Sequence, residues 1–323
     1  MRRSALLFGT LAIVTVSALI GCLTSERVPG PGDSTNSTNR TGAIPADSEK
    51  VLPGGDRYPP QLHSEEFREP IPLGGNVNTA GAEDSPFVTP DGETLYFWFT
   101  PDVDVPVEEQ LLDGVTGIYV SRRLDEGWTE AARVVLSHDV SLDGCPFVLE
   151  DRIWFCSARP GYTGMRWFTA RRSDGEWVDW EEADFDPDHD VGELHISADG
   201  GSLYYHSDRP GGKGSNDIWV SRRVGGEWSE PLNIENVNSE ADESRPFLSR
   251  DGRELWFTRT YRGTPAVFRS ILSDGEWQEP DLMVSQFAGE PTLDGEGNLY
   301  FVHHFFEDGR MIEADIYLAV ARD

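Results

Sequence analysis

Cysteine is scarce in this chain: three in 323 residues, at Cys22, Cys145 and Cys156, with no Cys-x-x-Cys pair. That excludes a four-cysteine zinc module and a thioredoxin-type redox motif. Basic residues are few as well, 27 against 57 acids, for a formal net charge of −30. Such a surface repels phosphate backbones and anionic lipid headgroups over a Debye length. Nucleic acid is excluded as a partner; cations, basic proteins and neutral glycans are not. Neither Gly-x-Ser-x-Gly nor His-Glu-x-x-His occurs, so two common hydrolase signatures are missing. The long apolar stretch, Ala5 to Ile20, is short for a spanning helix. What remains, 38% hydrophobic with 11% aromatic residues, is enough for a packed core.

The first residues read as an address. Arg2 and Arg3 precede the apolar stretch, which ends in Leu19-Ile20-Gly21-Cys22. This ending resembles the lipobox of bacterial lipoproteins. The resemblance implies a signal peptide over 1–21, cleavage before Cys22 and diacylation of its sulfur by palmitate-type chains. Leu23 stands where an aspartate would retain the protein at the inner membrane, so the implied destination is the outer membrane. Residues 22–58 are rich in Pro, Gly, Ser, Thr and Asn and lack apolar periodicity, as expected of a lipidated flexible tether. The folded domain is expected over 59–323.

Within 59–323 a single unit recurs. It starts with an apolar run and an Asp-Gly turn, as in Pro86-Phe87-Val88-Thr89-Pro90-Asp91-Gly92 and Pro246-Phe247-Leu248-Ser249-Arg250-Asp251-Gly252. An aromatic run follows: Leu95-Tyr96-Phe97, Ile153-Trp154-Phe155, Leu203-Tyr204-Tyr205, Leu255-Trp256-Phe257 and Leu299-Tyr300-Phe301. After a polar loop come a third β-rich run and a Gly-x-Trp element, at Trp128, Trp177, Trp228 and Trp277, spaced 49, 51 and 49. Alternating apolar and polar residues with Asp-Gly turns signal antiparallel strands, and four strands per period of about 50 residues is the pattern of a propeller blade. The expectation is an all-β, five-bladed β-propeller with four-stranded antiparallel blades. Only four Trp elements follow the five copies. The missing one is at the start, where Glu65-Glu66-Phe67-Arg68-Glu69-Pro70-Ile71-Pro72-Leu73 parallels Gly226-Glu227-Trp228-Ser229-Glu230-Pro231-Leu232-Asn233-Ile234. The N-terminal strand should therefore close the last blade.

Ser207-Asp208-Arg209-Pro210-Gly211-Gly212-Lys213-Gly214-Ser215-Asn216-Asp217-Ile218-Trp219-Val220, continued by Trp228-Ser229-Glu230-Pro231-Leu232, is similar to the propeller repeat of TolB-like proteins. The likeness covers about residue 60 to the C-terminus. It implies a fold and hardly any activity, because that family includes binding scaffolds and the non-catalytic propellers of peptidases.

In a propeller the loops from fourth to first strand and from second to third strand share one face, around the channel mouth. The first kind supplies Glu83, Asp84, Asp143, Glu193, Asp242, Glu243, Arg245 and Glu290; the second supplies Arg159, Asp208, Arg209, Arg259, His303 and His304. Ser85, Cys145, Glu193, Arg245 and Glu290 hold equivalent positions nearest the axis. Converging acids and arginines can clamp a polar ligand, or they can pair to hold neighbouring blades together. Cys145 and Cys156 flank one hairpin at matching distances, which places them opposite each other and within reach of a disulfide. The acidic run over 184–190 lacks the glycine and glutamate of an EF-hand, leaving only a looser calcium site there; no other cofactor is indicated, and no metal at His303-His304. Residues 210–215 lack the phosphate-loop spacing.

Two functions stay open. One is a monomeric, non-catalytic binding or scaffold lipoprotein of the cell envelope, presenting the loop-rich face to a protein, peptide or glycan. The other is a glycoside hydrolase with channel-mouth carboxylates, for which Glu193, Asp242 and Glu290 are the candidates.

Overall fold

A computed structural model describes residues 40–137, 140–183, 185–186 and 188–322. The signal peptide, Cys22 and the beginning of the tether lie outside the described residues. So do Asp184 and Pro187 of the acidic run.

The repeat becomes five consecutive antiparallel sets of strands. The first comprises Ala82–Val88, Thr94–Thr100, Gly117–Arg122 and Ala132–Arg133. The second comprises Leu142–Leu149, Arg152–Ala158, Arg166–Ser173 and Glu176–Glu182. Leu194–Ile196, Ser202–Ser207, Asp217–Val224 and Leu232–Asn233 form the third. Glu243–Leu248, Glu254–Tyr261, Thr264–Ser273 and Asp281–Ser285 form the fourth. The fifth has Ala288–Leu293, Leu299–Glu307 and Arg310–Ala319 in order. Its outer strand comes from the other end of the described chain: Ile71 pairs with Leu318, Pro72 with Tyr317, and Phe67 bridges Ala321. A parallel bridge between Ala314 and Ala82 joins the fifth set to the first.

Local chemistry explains the turns. In Thr89-Pro90-Asp91-Gly92, the Thr89 hydroxyl donates to Asp91 at 2.6 Å while Gly92 takes φ +73°. Ser197 with Asp199 and Ser249 with Asp251 repeat the bond at 2.6 and 2.7 Å, with Gly200 and Gly252 at φ +70° and +72°. Short polar side chains thus satisfy the turn, and glycine removes the steric cost of left-handed backbone.

The Trp element is not itself the whole fourth strand. Glu227–Trp228 folds back on Arg223 and Val224, and the outer strand resumes at Leu232–Asn233. Phe67 and Ile71 reproduce that two-step pairing on the fifth set, so their sequence parallel reflects the same geometry.

Each set carries a cross-strand aromatic pair between its second and third strands: Phe97 with Tyr119, Phe155 with Phe168, Tyr205 with Trp219, Phe257 with Phe268, and Phe301 with Tyr317. Their burial supplies much of the apolar driving force, since aromatic side chains each remove a large area from water. The first strands of successive sets touch in order, and that of the fifth touches that of the first, so the inner contacts form a cycle. A string of rings marks its inner side: Phe87 to Phe147 at 5.1 Å, Phe147 to His195 at 4.7 Å and His195 to Phe247 at 4.6 Å.

One expectation is corrected. The stretch read as flexible tether is, from residue 40 to residue 58, laid against the first and fifth sets. Arg40 is only 6% exposed and pairs with Glu83, Lys50 pairs with Glu313 and Asp315, and Asp56 pairs with His303. Composition alone suggested no core contacts here; charged side chains hold the segment together with a few apolar ones, Ile44 and Val51, that pack on the two largest hydrophobic clusters.

Candidate functional site

The site is built from the start of each first strand. At Ser85, Cys145, Arg245 and Glu290 the backbone is left-handed, with φ of 46°, 51°, 53° and 57°. Each lies in a break of the strand register, between Asp84 and Phe87, Gly144 and Phe147, Ser244 and Phe247, and Gly289 and Thr292. A proline follows every one, so the next residue cannot donate to the ladder, and the inserted residue kinks out of the strand. Repeating the kink around the cycle points these side chains at one another.

Arg245 is the centre of what results. Its Nε lies 2.6 Å from Glu290 Oε1 and 2.9 Å from Glu193 Oε1. The Ser85 N–H donates to Glu290 Oε2 at 2.8 Å, and the Arg245 N–H donates to His206 Nδ1 at 3.3 Å. Glu290 is 5% and Asp84 4% exposed. His304 Nε2 stands 3.9 Å from Asp84 Oδ1.

The charges sort themselves by environment. Burial, reinforced by Asp84 and Glu193 against the pull of Arg245, raises Glu290 well above the usual carboxyl range. Burial would raise Asp84 too, but His304, a hydrogen bond from Glu290 and Arg245 together hold it low. The two neighbouring carboxyls are thus pushed apart, Glu290 upward and Asp84 downward. Burial also raises Glu193, and Arg245, with three acids around it, stays charged. His206 is pushed down to about 3, first by burial and then by Arg245, so it is neutral.

Asp84, Glu290 and His304 bring ligand atoms within 4.8 Å of one another. Two carboxyl groups and an imidazole are a chemically suitable set for a divalent cation. Here, however, Glu290 is already engaged by Arg245, and a fixed guanidinium beside the set opposes a second cation.

The remaining candidate residues divide cleanly. Asp143 pairs with Arg159 at 2.8 Å and Glu243 with Arg259 at 2.7 Å, each within one set of strands. Arg209 is taken by Asp186. Glu83 is fully buried against Arg40. Asp242 accepts from the Asn216 side chain at 2.8 Å, tying two loops together. Only Asp208 is exposed. Of the twelve acids and arginines placed at the mouth, then, Asp84, Glu193, Arg245 and Glu290 meet, and most of the others stabilise individual sheets. His303 points away from His304, as neighbours on a strand must, and contacts Asp56 instead. Asp186 from the acidic run caps the N–H groups of Asp188 and His189 besides holding Arg209.

Cys145 and Cys156 are free thiols in hydrogen-bond contact. The strand partner of Cys156 is Gly144, not Cys145, because the kink inserts one residue. That contact, then burial, then the nearby Glu193 and Glu290, raise the Cys145 thiol.

Sequence reasoning missed Arg40, Lys50, Asp56 and His206. A signal for the first existed: the second, third and fourth repeats carry Arg159, Arg209 and Arg259 after the aromatic run, and the first repeat carries none.

No family pattern and no curated relative matches this chain. Among solved structures, three similar chains are representative. TolB from Acinetobacter baumannii is 15% identical, covering 76% of this chain and 56% of its own, with a TM-score of 0.44. The gluconolactonase XC5397 from Xanthomonas campestris is 14% identical over 81% of this chain and 98% of its own, at 0.46. An α-L-arabinofuranosidase from Lactobacillus brevis is 12% identical over 74% and 90%, at 0.43. At such identities no residue role passes from them to this protein.

Proposed function

We propose that the five sets of strands are the five blades of a TolB-like propeller closed by residues 67–72, and that this propeller is a non-catalytic binding module. It would be carried on lipid-modified Cys22 outside the cytoplasm, at the outer membrane, and would offer its loop-rich face to an envelope protein, peptide or glycan. The cyclic contact of the first strands supports the ring. One observation carries the functional choice: the Arg245 side chain lies between Glu193 and Glu290 and bonds to both. A glycosidase needs the space between its two carboxyl groups for the sugar and, in inverting enzymes, a water. Here a guanidinium fills it.

The test is capture from envelope extract by the full chain and by a variant with Glu193→Gln, Arg245→Met and Glu290→Gln together. Removing the whole charged group at once avoids leaving a buried charge unpaired. A partner enriched on the wild type and lost on the variant supports the binding reading. No differential partner, or turnover of a glycan that Glu193→Gln abolishes, overturns it.

A further inference from the structure

We propose that the segment 40–58 is a clasp that completes the sheets on either side of the chain's seam and, through them, positions Asp84 and His304 in the axial cluster. The inference rests on the five-blade ring proposed above and on that cluster, and adds to them an element that no repeat contains.

A regularity runs through the sheets. In the second, third and fourth sheets the cross-strand aromatic pair is covered by an arginine held by an acid. In the second sheet Arg159 lies 5.1 and 4.4 Å from the centroids of Phe155 and Phe168 and bonds to Asp143. In the third, Arg209 lies 5.5 and 5.3 Å from Tyr205 and Trp219 and bonds to Asp186. In the fourth, Arg259 lies 5.3 and 4.7 Å from Phe257 and Phe268 and bonds to Glu243. A cation over two ring faces with a carboxylate beside it is favourable only as a complete unit, because either charge alone would be buried without compensation.

The two sheets at the seam each lack one member. In the first sheet the acid is present, since Glu83 precedes the left-handed Ser85 by two residues, as Asp143 precedes Cys145 and Glu243 precedes Arg245. The base is missing, because Thr100-Pro101-Asp102 follows the aromatic run. Arg40 supplies it: Nη1 is 3.1 Å from Glu83, and the guanidinium carbon is 5.5 Å from Phe97 and 5.6 Å from Tyr119. Two backbone carbonyls, of Val77 and Asn76, accept from the same group at 2.9 and 3.0 Å.

In the fifth sheet a histidine, His303, stands at the basic position, and the first strand carries no acid opposite it. His303 pairs across the strands with Ala288 as Arg259 pairs with Glu243, so alanine stands where the carboxylate belongs. His303 lies 5.4 Å from the Tyr317 ring and is fully buried. Asp56 supplies the acid, its Oδ2 at 2.8 Å from His303 Nε2. Between these two ends, Lys50 bonds to Glu313 and Asp315 of the same sheet, and its Nζ sits 5.4 Å from the Phe305 centroid.

Both completed groups are next door to the axis. Glu83 is followed by Asp84, and His303 by His304; on a strand such neighbours face opposite ways, so anchoring one fixes the other. The clasp therefore sets the placement of two axial side chains that it does not touch. It is also the stretch of the described chain that leads back toward Cys22.

Hydrogen exchange on the full-length chain, read by mass spectrometry, tests the clasp. Arg40→Met should raise exchange about tenfold or more in residues 40–58, 82–88 and 299–319, while 142–285 stays as in the wild type. Arg159→Met should instead act on the second sheet alone. Asp56→Asn, which keeps shape and hydrogen-bonding capacity, gives a milder reading of the same seam should Arg40→Met fail to fold. Positioning is read separately: the His304 imidazole NMR signals should move in Asp56→Asn while those of His195 do not. An effect confined to 40–58, one spread evenly over all five sheets, or unmoved His304 signals would overturn the proposal. Partner capture by the mouth is an independent readout, so failure here leaves the binding reading standing and the reverse also holds.

Discussion

His195 occupies the position that Phe87, Phe147 and Phe247 hold in three of the other repeats, with its ring 4.7 and 4.6 Å from those of Phe147 and Phe247. Burial pushes its pKa down to about 3. The unfolded chain takes up a proton there near the ordinary value of 6.5, and the folded protein does not. Stability tied to this residue is thus complete above that pH and falls as pH drops toward 3, by about 1.4 kcal/mol per unit. His195→Phe restores the repeat and removes the liability. Urea melts at pH 7.5 and pH 5.0 should show the variant gaining on the wild type by on the order of 2 kcal/mol between the two conditions. An unchanged difference would mean that the ring takes its proton without unfolding. At this scale the sequence showed that His195 sits in a repeat position. It did not show that Arg245 lies between Glu193 and Glu290, because those three residues are separated by about 50 positions each and meet only through the curvature of the whole.

Among elements, the first strands carry the most information. Their apolar runs, prolines and Asp-Gly turns identified them in the sequence, and the structure adds a one-residue kink before four of the prolines. That kink shifts the partner of Cys156 to Gly144, yet the two cysteine side chains still meet. In an oxidising envelope compartment the pair is expected to close, the two thiols losing two protons and two electrons to a thiol oxidase system. Protein purified from that compartment, denatured without reduction and exposed to a thiol label, should then take up none at Cys145 or Cys156. Two labelled thiols would exclude the bridge. The kink itself was hidden from sequence reasoning, because a proline in a strand announces a lost hydrogen bond but not which neighbour bulges.

Taken whole, the molecule is acidic, and the first strands of its described fold pair with the last. The outer strand of the fifth sheet, Ile71–Pro72, belongs to the beginning of the described fold, so separating the ends would expose an open edge. Cys22→Ser is expected to release the protein from membranes into the soluble extracytoplasmic fraction, and intact mass of the mature wild type should carry the acyl chains. Retention of the serine variant in the membrane, with no acyl mass on the wild type, would remove the lipoprotein reading.

Strand content, the repeat, the turns and the segment that completes the last sheet were determined by the sequence alone, because each depends on residues within about ten positions or on a period that copies itself. The tertiary structure decided which acids share Arg245, which thiol faces which, and where Arg40 and Asp56 go. Those outcomes depend on distances between residues far apart in the chain and on the cost of burying a charge without its partner, and neither quantity is written in local pattern.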